Sequence, residues 1–153
     1  MKKIILLINV LLLSIVTFAQ NTGEAPLSAG QKQINFGVGF GHGIPLWVAY
    51  DIAVHRDITV SPNANFNLDG FDWLGLGCKG DYHFNRLIGI PSNFDFYAGL
   101  NLGYFIVFDG GSSFDINGQM GGRYYWSEKW GVNLEFGGGS NSWGALLGVS
   151  KKF

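Results

Sequence analysis

Charge is scarce in this chain of 153 residues: Asp, Glu, Lys and Arg make up 14% of it, against roughly 25% in ordinary soluble domains. So few ions cannot clothe a surface that faces water on all sides. With 10 basic and 11 acidic residues the formal net charge is −1, which excludes the basic footprint of a nucleic-acid partner. Cys78 is the single cysteine, so no disulfide within the chain can hold the fold together, and stability must come from burial and backbone pairing. Helical periodicity is missing from everything after residue 20. What the chain has in quantity is glycine, 24 residues, and aromatic side chains, 16%, which together favour many twisted strands over helices.

The first twenty residues, MKKIILLINVLLLSIVTFAQ, place Lys2 and Lys3 ahead of an apolar run from Ile4 to Phe18, with small Thr17 and Ala19 at −3 and −1 of a cleavage point. Residues 1–19 therefore read as a secretory signal peptide. A retained membrane anchor is the alternative, but a helical span needs about 20 apolar residues and this run is shorter and contains Asn9. No cysteine follows the cut to carry a lipid. Residues 20–32, polar and rich in Gly, Pro and Ser, read as a flexible periplasmic lead-in.

From residue 33 onward the period is two. In QINFGVGFG, Ile34, Phe36, Val38 and Phe40 share one face and Asn35, Gly37, Gly39 and Gly41 the other. The same rule holds for 46–54, 58–66, 74–84, 94–106, 114–126, 130–137 and 143–153, which predicts eight strands. Turn signals separate them at 43–45, 56–57, 68–72, 86–93, 109–113, 127–129 and 138–142. The expected fold class is all-β, an eight-stranded antiparallel up-and-down barrel over residues 33–153.

Alternation alone permits two barrels. A soluble lipocalin-like barrel turns its apolar face inward, but the Gly/Asn face would then have to meet water with too few ions. A transmembrane barrel turns the apolar face out to lipid and fills a narrow interior with the polar face. Each predicted strand is long enough to cross a bilayer at a tilt, and closure satisfies every backbone group. Tyr82, Phe84, Phe94, Phe96, Tyr124, Trp126 and Trp130 lie near the ends of the apolar face, where an interfacial girdle is expected. Eight strands leave room inside for side chains only, which gives interior glycine a purpose.

Signal, strand count and the ending GALLGVSKKF resemble the small eight-stranded outer-membrane barrels of Gram-negative bacteria, the class that includes OmpX and the transmembrane domain of OmpA. The resemblance implies location in the cell outer membrane, contact with its lipids, and delivery by the barrel assembly machinery through a C-terminal signal carried here by Val149 and Phe153. Lys151 stands where that class usually has an apolar or aromatic residue; its long stem lets the ammonium reach the interface.

An unpaired buried carboxylate costs several kcal/mol, so Glu135, between Leu134 and Phe136, needs a partner on the inner face. Counting residues outward from the turns places it level with Arg123, Lys79 and Asp51. The expectation is a buried lumen network of Asp51, Lys79, Asp81, Arg123 and Glu135. His42, His55 and His83 were natural candidates for acid–base chemistry, but no Ser or Cys nucleophile stands beside them in the pattern, and hydrogen-bonded structural roles are expected. Asp69, Asp72, Asp109 and Asp115 gather at the expected exterior rim as ordinary Asp turns rather than a calcium site. No catalytic residue, metal or cofactor is assigned. The sequence reads as a non-enzymatic, porin-like envelope protein of structural or surface-interaction role, plugged by its lumen charges, with its surface ligand unknown. The alternatives are a narrow pore for small solutes or ions and, third, a lipid-acting enzyme.

Overall fold

The computed structural model describes residues 23–41, 43–67, 70, 72–140 and 143–153. Eight strands follow in order: β1 (Lys32–Phe40), β2 (Pro45–His55), β3 (Ile58–Asn67), β4 (Trp73–His83), β5 (Phe94–Val107), β6 (Ser113–Tyr125), β7 (Trp130–Gly139) and β8 (Trp143–Lys152). Each pairs antiparallel with its neighbours in sequence, and β1 pairs with β8, as in Phe36 opposite Val149, so the sheet closes into an up-and-down barrel. β1 begins and β8 ends at one end of the cylinder, the near end; β1 is joined to β2, β3 to β4, β5 to β6 and β7 to β8 at the other, the far end.

Alternation decides which face each residue occupies. Phe36, Leu76, Leu100, Leu102, Ile116 and Met120 point outward and are between 44% and 62% exposed. Inward on the same strands stand Asn35, Lys79, Asp81, Asp95, Gln119 and Arg123, all buried. A core of polar groups inside a jacket of apolar ones inverts the usual globular arrangement. Within the strands, among the described residues, charge on the outward face is confined to Lys32 and Lys151, both at the near rim. Cys78 is exposed on the apolar face.

The seven aromatic residues expected as a girdle gather at the near end of β4 to β7 and around the β4–β5 connection. They pack in pairs: Tyr82 with Phe84 at 5.0 Å between ring centroids, Phe84 with Phe96 at 5.7 Å, and Phe94 with Tyr124 at 4.9 Å. Trp126 and Trp130 are exposed beside them, and Lys151 lies over Trp130 at 5.2 Å. Val149 faces outward opposite Val132, and Phe153, exposed, donates its backbone N–H to Lys32 O at 3.0 Å.

Beyond the strands, two segments add detail. The β4–β5 connection contains a helical turn, α1 (Asn85–Ile88), closed by Gly89 in the left-handed conformation at φ 68°; four residues are little more than one turn, too short for a period to show in sequence. Residues 23–31, read as a flexible lead-in, are seated against the near end. There Leu27 is 3% exposed and Gly30 N–H donates to Ala53 O at 2.7 Å, and β1 itself starts at Lys32.

Candidate functional site

The near half of the lumen is filled by a polar network of hydrogen bonds, ion pairs and cation–π contacts to which all eight strands contribute. At mid-height, Lys79 of β4 donates to Glu135 Oε2 of β7 at 2.6 Å and stands 3.6 Å from Asp81 Oδ2. Tyr97 of β5 lies across the lumen and donates its hydroxyl to the same Glu135 oxygen at 2.8 Å. Room for it exists because Gly121, opposite Glu135, has no side chain: a Cβ there would stand 2.5 Å from the tyrosine oxygen. Gln119 Nε2 donates to Asp81 Oδ1 at 2.8 Å.

One level nearer the termini, Arg123 of β6 bridges two carboxylates, donating to Asp51 Oδ2 at 2.8 Å and Asp95 Oδ2 at 2.9 Å, with its guanidinium 4.1 Å from the Tyr97 ring centroid. Arg suits such a bridge because its planar fork presents several donors at fixed angles. Ser61 Oγ donates to Asp51 Oδ1 at 2.7 Å, and Gln33 Nε2 to Asp51 Oδ2 at 3.0 Å. Below these, Tyr125 donates to Gln33 Oε1 at 2.6 Å. Asn133 donates to Ser150 Oγ at 2.9 Å, and Ser150 to Asn35 Oδ1 at 2.7 Å across the β8–β1 seam.

The structure thus brings Asp51, Lys79, Asp81, Arg123 and Glu135 together in the lumen on two adjacent levels, each no more than 6% exposed. Residue counting missed Asp95, the direct register partner of Arg123, and the uncharged members Tyr97, Tyr125, Gln119 and Gln33. Inward parity on their strands was the signal for all of them. Among these ions two cations face four carboxylates, so neutral donors from Ser, Gln and Tyr supply the remaining hydrogen bonds.

His83 is the histidine drawn into this interior: its Nδ1–H faces Asp95 Oδ1 at 2.8 Å and its Nε2 lies 3.0 Å from the Thr59 hydroxyl. That is the order of a hydroxyl, an imidazole and a carboxylate in nucleophilic catalysis. Sequence reasoning looked for Ser or Cys and passed over Thr59. All three are at most 4% exposed, and the lumen cavity does not reach them, so the arrangement has hydrogen-bonding work within the network but no substrate access. His55 is exposed at the β2–β3 turn; His42 lies outside the described residues.

Outside the barrel wall, Arg86 clasps Asp57 through Nε to Oδ1 at 3.1 Å and Nη2 to Oδ2 at 2.5 Å. This joins α1 to the β2–β3 turn. The bonded guanidinium holds the Asp57 carboxyl below the usual carboxylate range.

The far half is hollow. A cavity of about 380 Å³ runs from Lys79, Glu135 and Gln119 at its floor to Val107 and Ser113 at the far rim. Asn63, Asn101 and Asn117 line its wall, and Trp73, the first residue of β4, packs edge-on against Phe105 at 5.4 Å. Of the four rim aspartates, Asp115 is buried and accepts from Ser140 Oγ at 2.6 Å and from Asn117. Asp72 and Asp109 are exposed, and Asp69 lies outside the described residues. Among the described residues no group of His, Cys, Asp and Glu is placed to hold a metal ion.

No protein-family profile matches the chain, and no curated protein sequence does. Solved structures match its fold. The OprG outer membrane protein of Pseudomonas aeruginosa aligns at TM-score 0.67 and 15% identity, over 84% of this chain and 99% of that one. The N-terminal β-barrel domain of OprF from the same organism aligns at TM-score 0.66 and 19% identity, over 83% and 100%. A de novo designed transmembrane β-barrel aligns at TM-score 0.69 and 14% identity, over 83% and 98%. The chain has the fold of the small eight-stranded outer-membrane barrels.

Proposed function

We propose that this chain is an integral protein of the bacterial outer membrane, exported by way of residues 1–19, with its near end in the periplasm and its far end at the cell exterior. One observation carries the reading: a continuous outward belt of Phe, Leu, Ile, Val and Met around a charged interior, stable only where hydrocarbon replaces water. The near-end aromatic pairs and Lys151 match an inner interface. Val149 and Phe153 are proposed as the segment read by the barrel assembly machinery, with outer-membrane lipids as the permanent surroundings.

Within that location the role is structural or one of surface interaction, without catalysis. The network from Lys79 down to Gln33 closes the lumen to flow. A narrow pore is the second reading, favoured by the far-half cavity, but its path would have to break the Lys79–Glu135 and Arg123 bridges. Membrane fractionation followed by planar-bilayer recording tests both parts. The expected result is a protein that resists carbonate extraction from outer membranes and gives no discrete conductance. Recovery in the soluble periplasm refutes the membrane reading; stable single-channel steps refute the closed lumen.

A further inference from the structure

We propose that the far-half cavity is a binding site for a neutral, polyhydroxylated ring of monosaccharide size. Charge decides the class first. The two ions at the cavity floor, Lys79 and Glu135, compensate each other at 2.6 Å, and the remaining polar wall is made of the uncharged amides Asn63, Asn65, Asn101, Asn117 and Gln119 with Ser113. A charged ligand entering would leave water without a counter-ion to meet it. A neutral ligand incurs no such cost.

Hydrogen-bonding capacity narrows the class further. Each amide presents both donors and acceptors, the complement of a hydroxyl, which also gives and takes one. Asn63 and Asn101 are already joined, Nδ2 to Oδ1 at 2.9 Å, so the wall is a preformed array rather than loose side chains. Gly77 makes space for it, since a Cβ there would stand 2.9 Å from both Asn63 Oδ1 and Asn101 Oδ1. Among the side chains lining the cavity, three keep a polar atom without a partner: the Trp47 indole N–H, Asn65 Oδ1 and Gln119 Oε1. These atoms are covered by their neighbours, so a ring in the cavity meets them only once the side chains turn; buried polar groups in native proteins are ordinarily satisfied. Trp73 and Phe105 add aromatic surface, against which the C–H face of a sugar ring packs. A volume of about 380 Å³ falls in the range of small-molecule sites, about 300–1,000 Å³.

The exposure of this site to the cell exterior rests on the membrane reading above; the binding itself does not. The test therefore uses the refolded full barrel in detergent micelles, titrated with D-glucose, D-galactose, D-mannose and myo-inositol, and with glucuronate and glucosamine as charged counterparts. The readout is the side-chain amide and indole N–H region of nitrogen–proton correlation spectra. The expected result is saturable movement of the Asn63, Asn101 and Gln119 amides and the Trp47 indole by at least one neutral ring, with Kd below about 10 mM, or −2.7 kcal/mol. The charged counterparts are expected to bind at least tenfold more weakly, and Asn101→Leu to weaken the neutral ring tenfold. No saturation by any neutral ring up to 50 mM overturns the proposal, as do equal affinity for the charged rings and shifts confined to residues outside the cavity. Should Asn101→Leu not fold, Phe105→Ala tests the same site from its aromatic wall. Failure here with the protein still in the outer membrane removes the ligand and leaves the location standing.

Discussion

Replacing Glu135 by leucine is the sharpest perturbation of the lumen. The Lys79 and Glu135 side chains are 4% and 7% exposed, so solvent screens their attraction little. Glu135→Leu strands the Lys79 ammonium with Asp81 Oδ2 at 3.6 Å as its nearest carboxylate and takes the acceptor from the Tyr97 hydroxyl. Removing one member of a buried ion pair costs about 3–5 kcal/mol; the residual attraction to Asp81 puts this case near about 3 kcal/mol. Glu135→Gln keeps an oxygen for both donors and loses only the charge, the difference between a charged hydrogen bond of about 1.5–3 kcal/mol and a neutral one of about 0.5–1.5, so about 1–1.5 kcal/mol. Urea unfolding of the barrel refolded in lipid vesicles, followed by tryptophan fluorescence, reads these losses. With a slope of about 2 kcal/mol per molar, Glu135→Leu moves the midpoint down by about 1.5 M. Adding Lys79→Met to Glu135→Leu recovers most of the loss, because an apolar pair of similar volume substitutes well for a buried ion pair. A Glu135→Leu midpoint within about 0.2 M of wild type, or a double variant whose loss is the sum of the two single ones, refutes the pairing.

Arg123→Lys is expected to lower stability by about 2–3 kcal/mol in the same assay, because one ammonium cannot bridge Asp51 and Asp95 as the guanidinium does. Gly121→Ala forces a Cβ to within 2.5 Å of the Tyr97 oxygen; it should cost about 1–3 kcal/mol and less in a Tyr97→Leu background, where the obstructing ring is gone. For Asp57, the folded carboxyl titrates below its unfolded value of about 3.9. The stability it contributes is therefore complete above that value and lost as pH falls through the lower, folded one. Wild type should exceed Asp57→Asn by a constant margin from pH 8 to pH 5, a margin that closes in stronger acid; a gap unchanged at about pH 2 would show that the charge of Asp57 is irrelevant.

Strand number, face assignment and closure were legible in the sequence because a period of two, repeated eight times, leaves little choice of register. Lys79, Glu135, Arg123 and Asp51 could be brought to within about two residues of one height by counting from the turns, since strands in an up-and-down barrel keep a nearly constant stagger. What counting could not show is how far a side chain reaches across the lumen. Tyr97 and Tyr125 span it and join layers that parity treats as separate. The hollow far half was also unread, although its cause lies in the chain: Gly75, Gly77, Gly103, Gly137 and Gly139 occupy inward positions there, whereas Arg, Lys, His and Tyr crowd those toward the termini. Helix α1 left no trace, for its length is below one hydrophobic repeat.

Two of the ionic bridges join residues far apart along the chain: Lys79 and Glu135 are 56 positions apart, Arg123 and Asp51 72. The first four strands together would carry Asp51 without Arg123 and Lys79 without Glu135, and hydrocarbon penalises such half-built states. Insertion one hairpin at a time is thereby penalised, and the lipid admits the cylinder only when its far-flung charges have met. The polar filling of the lumen in this way makes the birth of the barrel an all-or-none event.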